Sequence, residues 1–389
     1  MGLLQSITQT FWTPLVWLPP NTTWDDIAPG SRPDVNHADY RDLIWPLPMA
    51  VAVILLRYTL ERFWLAPIGK SLGIRSSRPK KAATNPILEA AYTKKSRLNH
   101  KTLVALTKQV DLTERQIERW WRLRRAQDKP STLIKFCENS WRCIYYTYSF
   151  MYGVIVLWDK PWFWDIKNCW YGYPHQSVES GIWWYYMISM SFYWSLTASQ
   201  FLDVKRKDFW QMFIHHVVTL LLLALSWVCN LHRVGSLVLV VHDCADIFLE
   251  GTKIMKYANY QKVCDTMLVI FTIVWIITRL GYYPRIIYSS SVEAPRILPM
   301  FPAYYIFNSL LILLLVLHII WTYFILQVAY TAFKAGQMEG DVRSSTSEIS
   351  DSSETSRAVA NGTSKRKKTP STPGTPKLES ELKSKSKAN

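Results

Sequence analysis

Histidines and acidic residues cluster at two places in apolar parts of the chain. The first cluster is His215-His216 in the run KDFWQMFIHHVVT, and the second is His242-Asp243-x-x-Asp246 in the run LVLVVHDCADIFLE. A neutral imidazole in an apolar cavity is a competent nucleophile or base, and a carboxylate on its second nitrogen, from Asp243 or Asp246, sets its tautomer. Attack of such a histidine on a thioester gives an acyl-imidazole, from which an amine can take the acyl group. The two clusters therefore predict acyl transfer.

Helical spacing arranges polar side chains of both segments in stripes. Gln211, His215 and Thr219 are four residues apart and share one helix face, whereas His216 is turned away by about 100°. A second stripe with the same spacing begins at the second histidine cluster and ends at Glu250. We expect His215 to participate more directly than His216, because only His215 continues its stripe, and we expect Gln211 and Thr219 to contact substrate.

Both clusters are predicted to lie at one depth of a membrane. His215 is nine residues after Arg206, and Asp243 is ten residues before Lys253, so each lies about 13 to 15 Å from a basic residue at a helix end. Ionisable groups at the centre of a span cost about 2.5 to 3.5 kcal/mol each, so several at one level indicate function. The basic run Lys205-Arg206-Lys207 is expected to lie on the side from which an acyl-CoA would approach.

The remaining histidines and the cysteines do not predict a metal site. Six cysteines are scattered without a CxxC pair, and they are interpreted as small core residues. His318 is a lone histidine on an apolar face, which we interpret as a packing residue, with the same cavity as the alternative. A metal hydroxylase is disfavoured, since it would need more intramembrane histidines and a repeated HxxHH pattern.

The elements that must position these residues are membrane helices. The chain of 389 residues is 49% apolar, yet its mean hydropathy is only −0.01, so its apolar residues are concentrated in blocks. This pattern predicts an all-α polytopic membrane protein with about seven transmembrane helices. They are expected near residues 43–65, 136–158, 182–202, 209–228, 234–249, 263–283 and 303–333.

Flanking signals predict the orientation. The sequon Asn21-Thr22-Thr23, a glycosylation site, precedes the first span, and basic residues follow it, which indicates a lumenal amino terminus and a cytosolic carboxyl terminus. The net charge of +16 is interpreted as an excess of basic residues in cytosolic loops, which fixes the orientation of the protein in the membrane. Arg57 and Glu61 interrupt the first span at a spacing that predicts an ion pair.

Five segments follow from this pattern. They are a lumenal amino terminus (1–42), a first transmembrane helix (43–65), a cytosolic helical segment (70–130), a catalytic domain with six transmembrane helices (131–333) and a disordered cytosolic tail (334–389). The tail is rich in Ser, Thr, Glu, Lys and Pro and cannot bury enough apolar surface to fold. Serines beside its acidic residues are candidate phosphorylation sites, and its run KRKK is either a nuclear address or a solvated charge run.

The sequence resembles a known family. KRKDFWQMFIHHVVT followed by RVGSLVLVVHDCADIFLE is similar to the signature of ceramide synthases, within the TLC group of membrane proteins. The likeness extends from about residue 67 to 333 and includes TRLGYYP and FNSLLILLLVLHIIW. It implies an endoplasmic reticulum enzyme that joins a fatty acyl-CoA to the amine of a sphingoid base, which gives (dihydro)ceramide and free CoA.

Residue roles and partners are implied by the same resemblance. His215, His216, His242, Asp243 and Asp246 are the catalytic positions carried over. Acyl-length preference is associated with a loop at about residues 288–298, which contains Ser289, Ser290, Ser291, Val292, Glu293, Ala294 and Pro295. No cofactor other than the acyl-CoA co-substrate is implied, membrane lipid surrounds the site, and a homo- or heterodimer is expected.

The family resemblance also implies a homeobox-like segment. LTERQIERWWRLRRAQ is similar to a recognition helix, but Leu123 stands where a DNA-reading homeodomain has its adenine-binding asparagine, and the segment is shorter than a full three-helix domain. We interpret it as a structural or regulatory module. The alternative is contact with nucleic acid through Arg115, Arg119, Arg122, Arg124 and Arg125.

Two other classes of function are compatible with intramembrane His and Asp residues. A proton-coupled transporter uses them as relays, although the two halves of the chain contain no inverted repeat of the motif. A membrane-tethered transcriptional regulator would use the homeobox-like helix. Acyl transfer explains both histidine clusters together and is the prediction we retain.

Overall fold

The structure is a computed structural model that describes residues 2–74, 81–94, 98–128, 130–202 and 208–335. Within these ranges the chain is helical and contains no β-strand, so the predicted all-α class is confirmed. Lys205, Arg206 and Lys207 lie outside the described residues. The same is true of residues 336–389, so the predictions of a disordered, phosphorylated tail with a KRKK address remain predictions.

Sixteen α-helical segments, α1 to α16, are present in the described ranges. Short π-helical segments at Glu61–Leu65, Ile276–Tyr282 and Ser289–Glu293 join some of them into longer continuous runs. The bounds are Gly2–Phe11, Pro14–Trp17, Pro46–Leu60, Ala66–Ser71, Pro86–Lys94, His100–Thr107, Glu114–Asp128, Thr132–Leu157, Pro161–Trp164, Ser180–Leu202, Phe209–Val228, His232–Tyr257, Gln261–Trp275, Tyr283–Tyr288, Ala294–Ile297 and Ala303–Ala335.

Four helical runs are long and apolar enough to cross a membrane. They are Tyr40–Ser71, Phe209–Val228, Gln261–Ile297 and Ala303–Lys334. Helices α8, α10 and α12 contain 26, 23 and 26 residues, which is long enough for a bilayer core of about 30 Å, but they carry more polar side chains. The protein is thus a membrane protein with four spans supported by length and composition, and the count of seven remains a prediction.

Two expected boundaries differ from the observed ones. The span expected at 234–249 is part of the longer helix α12, and the loop expected at 288–298 is helical up to Ile297. Pro295 lies within this helical run, and the Ser291 hydroxyl donates to the Ile287 carbonyl at 2.7 Å. The segment for which the family resemblance implied a loop is therefore helical.

Helix α12 is the centre of the bundle. It packs mainly against α8 and α13, and Gly153 on α8 allows a close approach, because a Cβ there would lie 2.5 Å from Val240 Cγ2. Helix α12 follows α11 after a tight turn at Asn230, whose φ is +58° and whose amide donates to the Pro174 and Gln176 carbonyls. As predicted, Arg57 pairs with Glu61 on the first run, at 2.8 Å.

Helices α5, α6 and α7 form a small module with its own core. Leu88 and Ile117 are fully buried in this core, together with Leu103, Leu106, Trp120 and Trp121. The expectation that the homeobox-like segment is too short for three helices is therefore wrong, since two helices precede the recognition-like helix α7. The three helices agree with the helical character that the sequence predicted for this segment.

The arginines of α7 are divided between the module's interior and its surface. Arg124 pairs with Glu89 at 2.8 Å and with Asp128, and burial raises the pKa of the adjacent Tyr92 to about 12. Arg115, Arg119 and Arg122 are exposed, whereas Arg125 is half-buried. Nucleic-acid contact through these residues remains a prediction. Arg124 would have to exchange its partners within the module, Glu89 and Asp128, for such a contact.

Gly235 should be essential for the packing of α12 against α10. A Cβ at this position would lie 1.7 Å from the hydroxyl oxygen of Tyr186, which donates to the His232 carbonyl. We expect Gly235→Ala to lower the free energy of unfolding by about 1 to 3 kcal/mol, measured as a lower melting temperature of the detergent-solubilised protein. The control is Gly281→Ala, whose Cβ would be 3.9 Å from its nearest neighbour. Equal melting temperatures for the two variants would contradict this packing.

Candidate active site

Two neighbouring cavities share one of the predicted histidines, His242. A polar cavity is lined by His215, His216, His242 and Asp246, and an apolar cavity is lined by residues of α11, α12 and α16, among others. Tyr193 and His242 line both cavities. The predicted site is therefore at the border between a polar and an apolar compartment.

Aromatic rings connect the two clusters across the polar cavity. The His215 ring centroid lies 5.3 Å from that of Trp321, which lies 6.1 Å from His318, which in turn lies 5.0 Å from His242. Both clusters therefore line one cavity, and their common depth in a membrane remains a prediction. His318 lines the cavity as well, which was the alternative to a pure packing role.

Several imidazole nitrogens are available for chemistry. His242 Nδ1 lies 2.6 Å from the Val238 carbonyl, so it carries the proton and donates it, while the buried Nε2 has no hydrogen-bond partner in the part of the chain that the structure describes. A backbone carbonyl thus orients this ring, in place of the carboxylate that the sequence suggested. The Nδ1 atoms of His215, His216 and His318 are likewise buried without a partner among the described residues.

The two aspartates of the motif have different environments. Asp243 is buried against α8, accepts a hydrogen bond of 2.6 Å from the Ser149 hydroxyl and lines neither cavity. Asp246 lines the polar cavity and pairs with Arg279 at 3.2 Å. The i, i+4 spacing with His242 predicted the position of Asp246 but gave no indication of its partner.

Arg279 and His318 are the site residues that the sequence interpretation missed or undervalued. Arg279 is a charged residue within the apolar run Gln261–Ile297, and that fact alone was a usable signal. Its partners are 33 to 38 residues away in the sequence, so spacing could not identify them.

Other predicted positions are distributed more widely. Thr219, Ser290, Ala294 and Pro295 line the apolar cavity, whereas Gln211 lines neither cavity. Ser289 accepts a hydrogen bond from Trp170, and Ser291, Val292 and Glu293 belong to the helical run, with Glu293 paired to Arg285 at 2.8 Å. Asn21 is exposed and has a left-handed backbone conformation, with a φ of +63°. Its exposure is compatible with glycosylation, which remains a prediction.

The cysteines and candidate metal ligands have no special arrangement. All six cysteines are free, and each is buried or half-buried, as expected for small core residues. Across the described ranges, no three His, Cys, Asp or Glu side chains are grouped so that they could hold a metal ion. The polar cavity is lined by imidazoles and carboxylates, which can act as nucleophiles and proton acceptors, and by the buried guanidinium of Arg279.

Comparison with known proteins defines the class. The TLC domain profile matches residues 135–327, and a homeodomain profile matches residues 79–130. All residues that line the polar and the apolar cavity lie in the first of these regions. The protein is thus a TLC-domain membrane protein with a homeodomain segment before that domain.

Individual relatives define the family. The chain is 41% identical to ceramide synthase 5 of Homo sapiens over 345 residues, which cover 88% of each chain. It is 40% identical to human ceramide synthase 4 over 359 residues, with 92% of this chain and 90% of that protein covered, and 35% identical to ceramide synthase hyl-1 of Caenorhabditis elegans, with 86% and 83% covered. The chain belongs to the ceramide synthase family. The sequence-based prediction of an acyltransferase of this family is confirmed.

His318 should contribute to activity beyond packing. Its ring lies between His242 and Trp321 in the polar cavity, so we expect His318→Ala to lower kcat for acyl transfer by at least about tenfold. The control is His232→Ala, a histidine buried on the same helix as His242 that lines neither cavity; it should lower the melting temperature and leave kcat unchanged. Full activity of a folded His318→Ala variant would show that His318 contributes only to packing.

Proposed function

We propose that the protein N-acylates a sphingoid base, sphinganine or sphingosine, with a fatty acyl-CoA to give (dihydro)ceramide and CoA. Family membership supports this substrate class. The observation that carries the proposal is that His242 and Tyr193 line both the polar and the apolar cavity. An acyl-CoA carries the charged CoA group on one side of its thioester and a long hydrocarbon chain on the other, so a reactive centre at such a border suits its reaction with an amine.

The apolar cavity suits the acyl chain. Leu223, Val238, Phe307 and Leu311 are among the side chains that line it, and hydrocarbon is stabilised there without loss of hydrogen bonds. The Thr219 hydroxyl is buried in the same cavity, one helical turn from His215, and none of the described residues forms a hydrogen bond with it. The carbonyl end of the acyl group would therefore face the histidines, with the chain extending away from them.

The polar cavity suits the thioester and the amine. His215 would attack the thioester carbonyl, so that a C–N bond forms, the C–S bond breaks and the CoA thiolate leaves to be protonated. The amine would then attack the acyl-imidazole, which forms the amide and releases the imidazole. His216 or His242 would accept the amine proton. Every atom of both substrates is accounted for in the ceramide and CoA.

A direct route is the alternative to the covalent one. In it, the amine attacks the thioester itself while a histidine accepts its proton. The unpartnered Nε2 of His242 supports a base at this position in either route. Neither route needs a cofactor besides the acyl-CoA.

We further propose seven transmembrane helices in the endoplasmic reticulum membrane, with a lumenal amino terminus and a cytosolic module and tail. The lengths of α8, α10 and α12 support the three additional spans. The positive residues after the first span support the orientation. A dimer remains an expectation from the family.

The function is tested with the purified full chain in lipid, labelled acyl-CoA and sphinganine. We expect ceramide from the wild type, a loss of at least about 1000-fold in kcat for His215→Ala, and a smaller loss for the matched neighbour His216→Ala. Without amine, mass spectrometry should find one acyl group on the peptide that contains His215. An active enzyme without an adduct would favour the direct route. If the wild-type protein makes no amide but moves substrate across vesicle membranes, the proposed acyl transfer is wrong and transport is the better interpretation.

A further inference from the structure

Arg279 is buried between membrane helices and bound to the turn that carries the second histidine cluster. Its side chain is only 3% exposed, and it extends from the π-helical segment Ile276–Tyr282 towards α12. One terminal nitrogen donates to the Val241 carbonyl at 3.2 Å. The other donates to the His242 carbonyl at 2.6 Å and to Asp246 Oδ2 at 3.2 Å.

These three acceptors lie within two turns of one helix. The carbonyls of residues 241 and 242 are positioned to accept from amides four residues later, and each has a second lone pair for Arg279. The rigid guanidinium therefore connects the backbone of His242 to the carboxylate of Asp246. A rotation or shift of α12 at this turn would break at least one of these bonds.

The opposite side of the guanidinium is fixed as well. It lies 5.0 Å from the ring centroid of Trp275, and the Trp275 indole N–H donates to Thr322 on α16 at 2.9 Å. The arginine is thus held between α12 and a tryptophan that is anchored to a third helix. Its position is determined by the packing of the bundle and does not depend on a ligand.

We propose that Arg279 is the positioning residue of the site: it holds the helix turn of His242 and the Asp246 carboxylate at fixed places on the wall of the polar cavity. The inference rests on the proposed function, because it assumes that His242 or Asp246 acts on the substrates. Arg279 itself acts through these two residues.

The fork of the guanidinium, and not only its charge, is required for this role. A lysine carries the same charge as a single ammonium on a flexible stem and cannot hold two carbonyls and a carboxylate in one plane. Arg279→Lys should therefore lower kcat by about 100-fold, the effect of a misplacement of about 1 Å, while KM for acyl-CoA changes little. Guanidinium ion added below denaturing concentrations should restore part of the kcat of Arg279→Ala.

Arg233 provides the matched control. It is an arginine of the central helix α12 itself, donates to the Asn168 carbonyl at 2.9 Å and, like Arg279, lies over a tryptophan ring, 4.5 Å from the Trp162 ring centroid, but it lines neither cavity. Arg233→Lys should lower the melting temperature without a change in kcat, and guanidinium should not stimulate it.

The experiment measures kcat, KM and melting temperature for the four proteins in lipid, with and without guanidinium. A wild-type kcat for Arg279→Lys, or an Arg279→Ala variant that melts like the wild type and is not rescued, would overturn the proposal. If Arg279→Ala does not fold, the kcat of Arg279→Lys decides alone. Failure of the proposed function would show as a wild type without amide synthesis, whereas failure of this inference would show only in the variants.

Discussion

Ionisable side chains between membrane helices must be paired, because an unpartnered charge there costs several kcal/mol. In this protein the pairing converges on α12. Asp243 accepts from Ser149 on α8, and Asp246 pairs with Arg279 on the run Gln261–Ile297. These bonds join the central helix to its two main neighbours, so the requirement to satisfy buried polar groups also determines how the bundle packs around the histidines.

The pairing leaves some atoms of the site without partners. His242 is oriented through Nδ1 by a carbonyl of its own helix, and its Nε2 is buried without a hydrogen-bond partner among the described residues. The same histidine lines both the polar and the apolar cavity. Under the proposed function, such a border would let the charged CoA group and the hydrocarbon chain of one substrate lie on either side of a reactive centre.

Local patterns in the sequence predicted the parts of the site that depend on helix geometry. On α12, the i, i+4 spacing of His242, Asp246 and Glu250 matches the residues that line the polar cavity. On α11 it was a poorer guide, because Gln211 lines neither cavity and His216 lines the polar cavity together with His215. The apolar blocks predicted the helices that carry both clusters. Contacts between distant segments could not be predicted in this way. The partner of Asp246 is a residue of another helix, and Asp243 faces α8 although it is the neighbour of a cavity-lining histidine.

Packing accompanies unexpected helical structure in two other segments. The family resemblance implied a loop at Ser289–Glu293, yet this segment is helical, with hydrogen bonds from Trp170 to Ser289 and from Ser291 to the Ile287 carbonyl. In the same way, α5 and α6 are short and weakly periodic, but they become stable by covering Trp120 and Trp121 of α7. In both cases the stabilising contacts come from outside the segment.

In the proposed reaction, the acyl chain occupies the apolar cavity while its carbonyl lies at the histidines. Photolabelling with an acyl-CoA that carries a diazirine at the end of its chain tests this most directly. We expect adducts on residues that line the apolar cavity, such as Ala294, Phe301 and Leu311, and we expect these adducts to disappear when unlabelled acyl-CoA competes. Adducts confined to outward-facing residues such as Tyr323, or to the polar cavity, would contradict it.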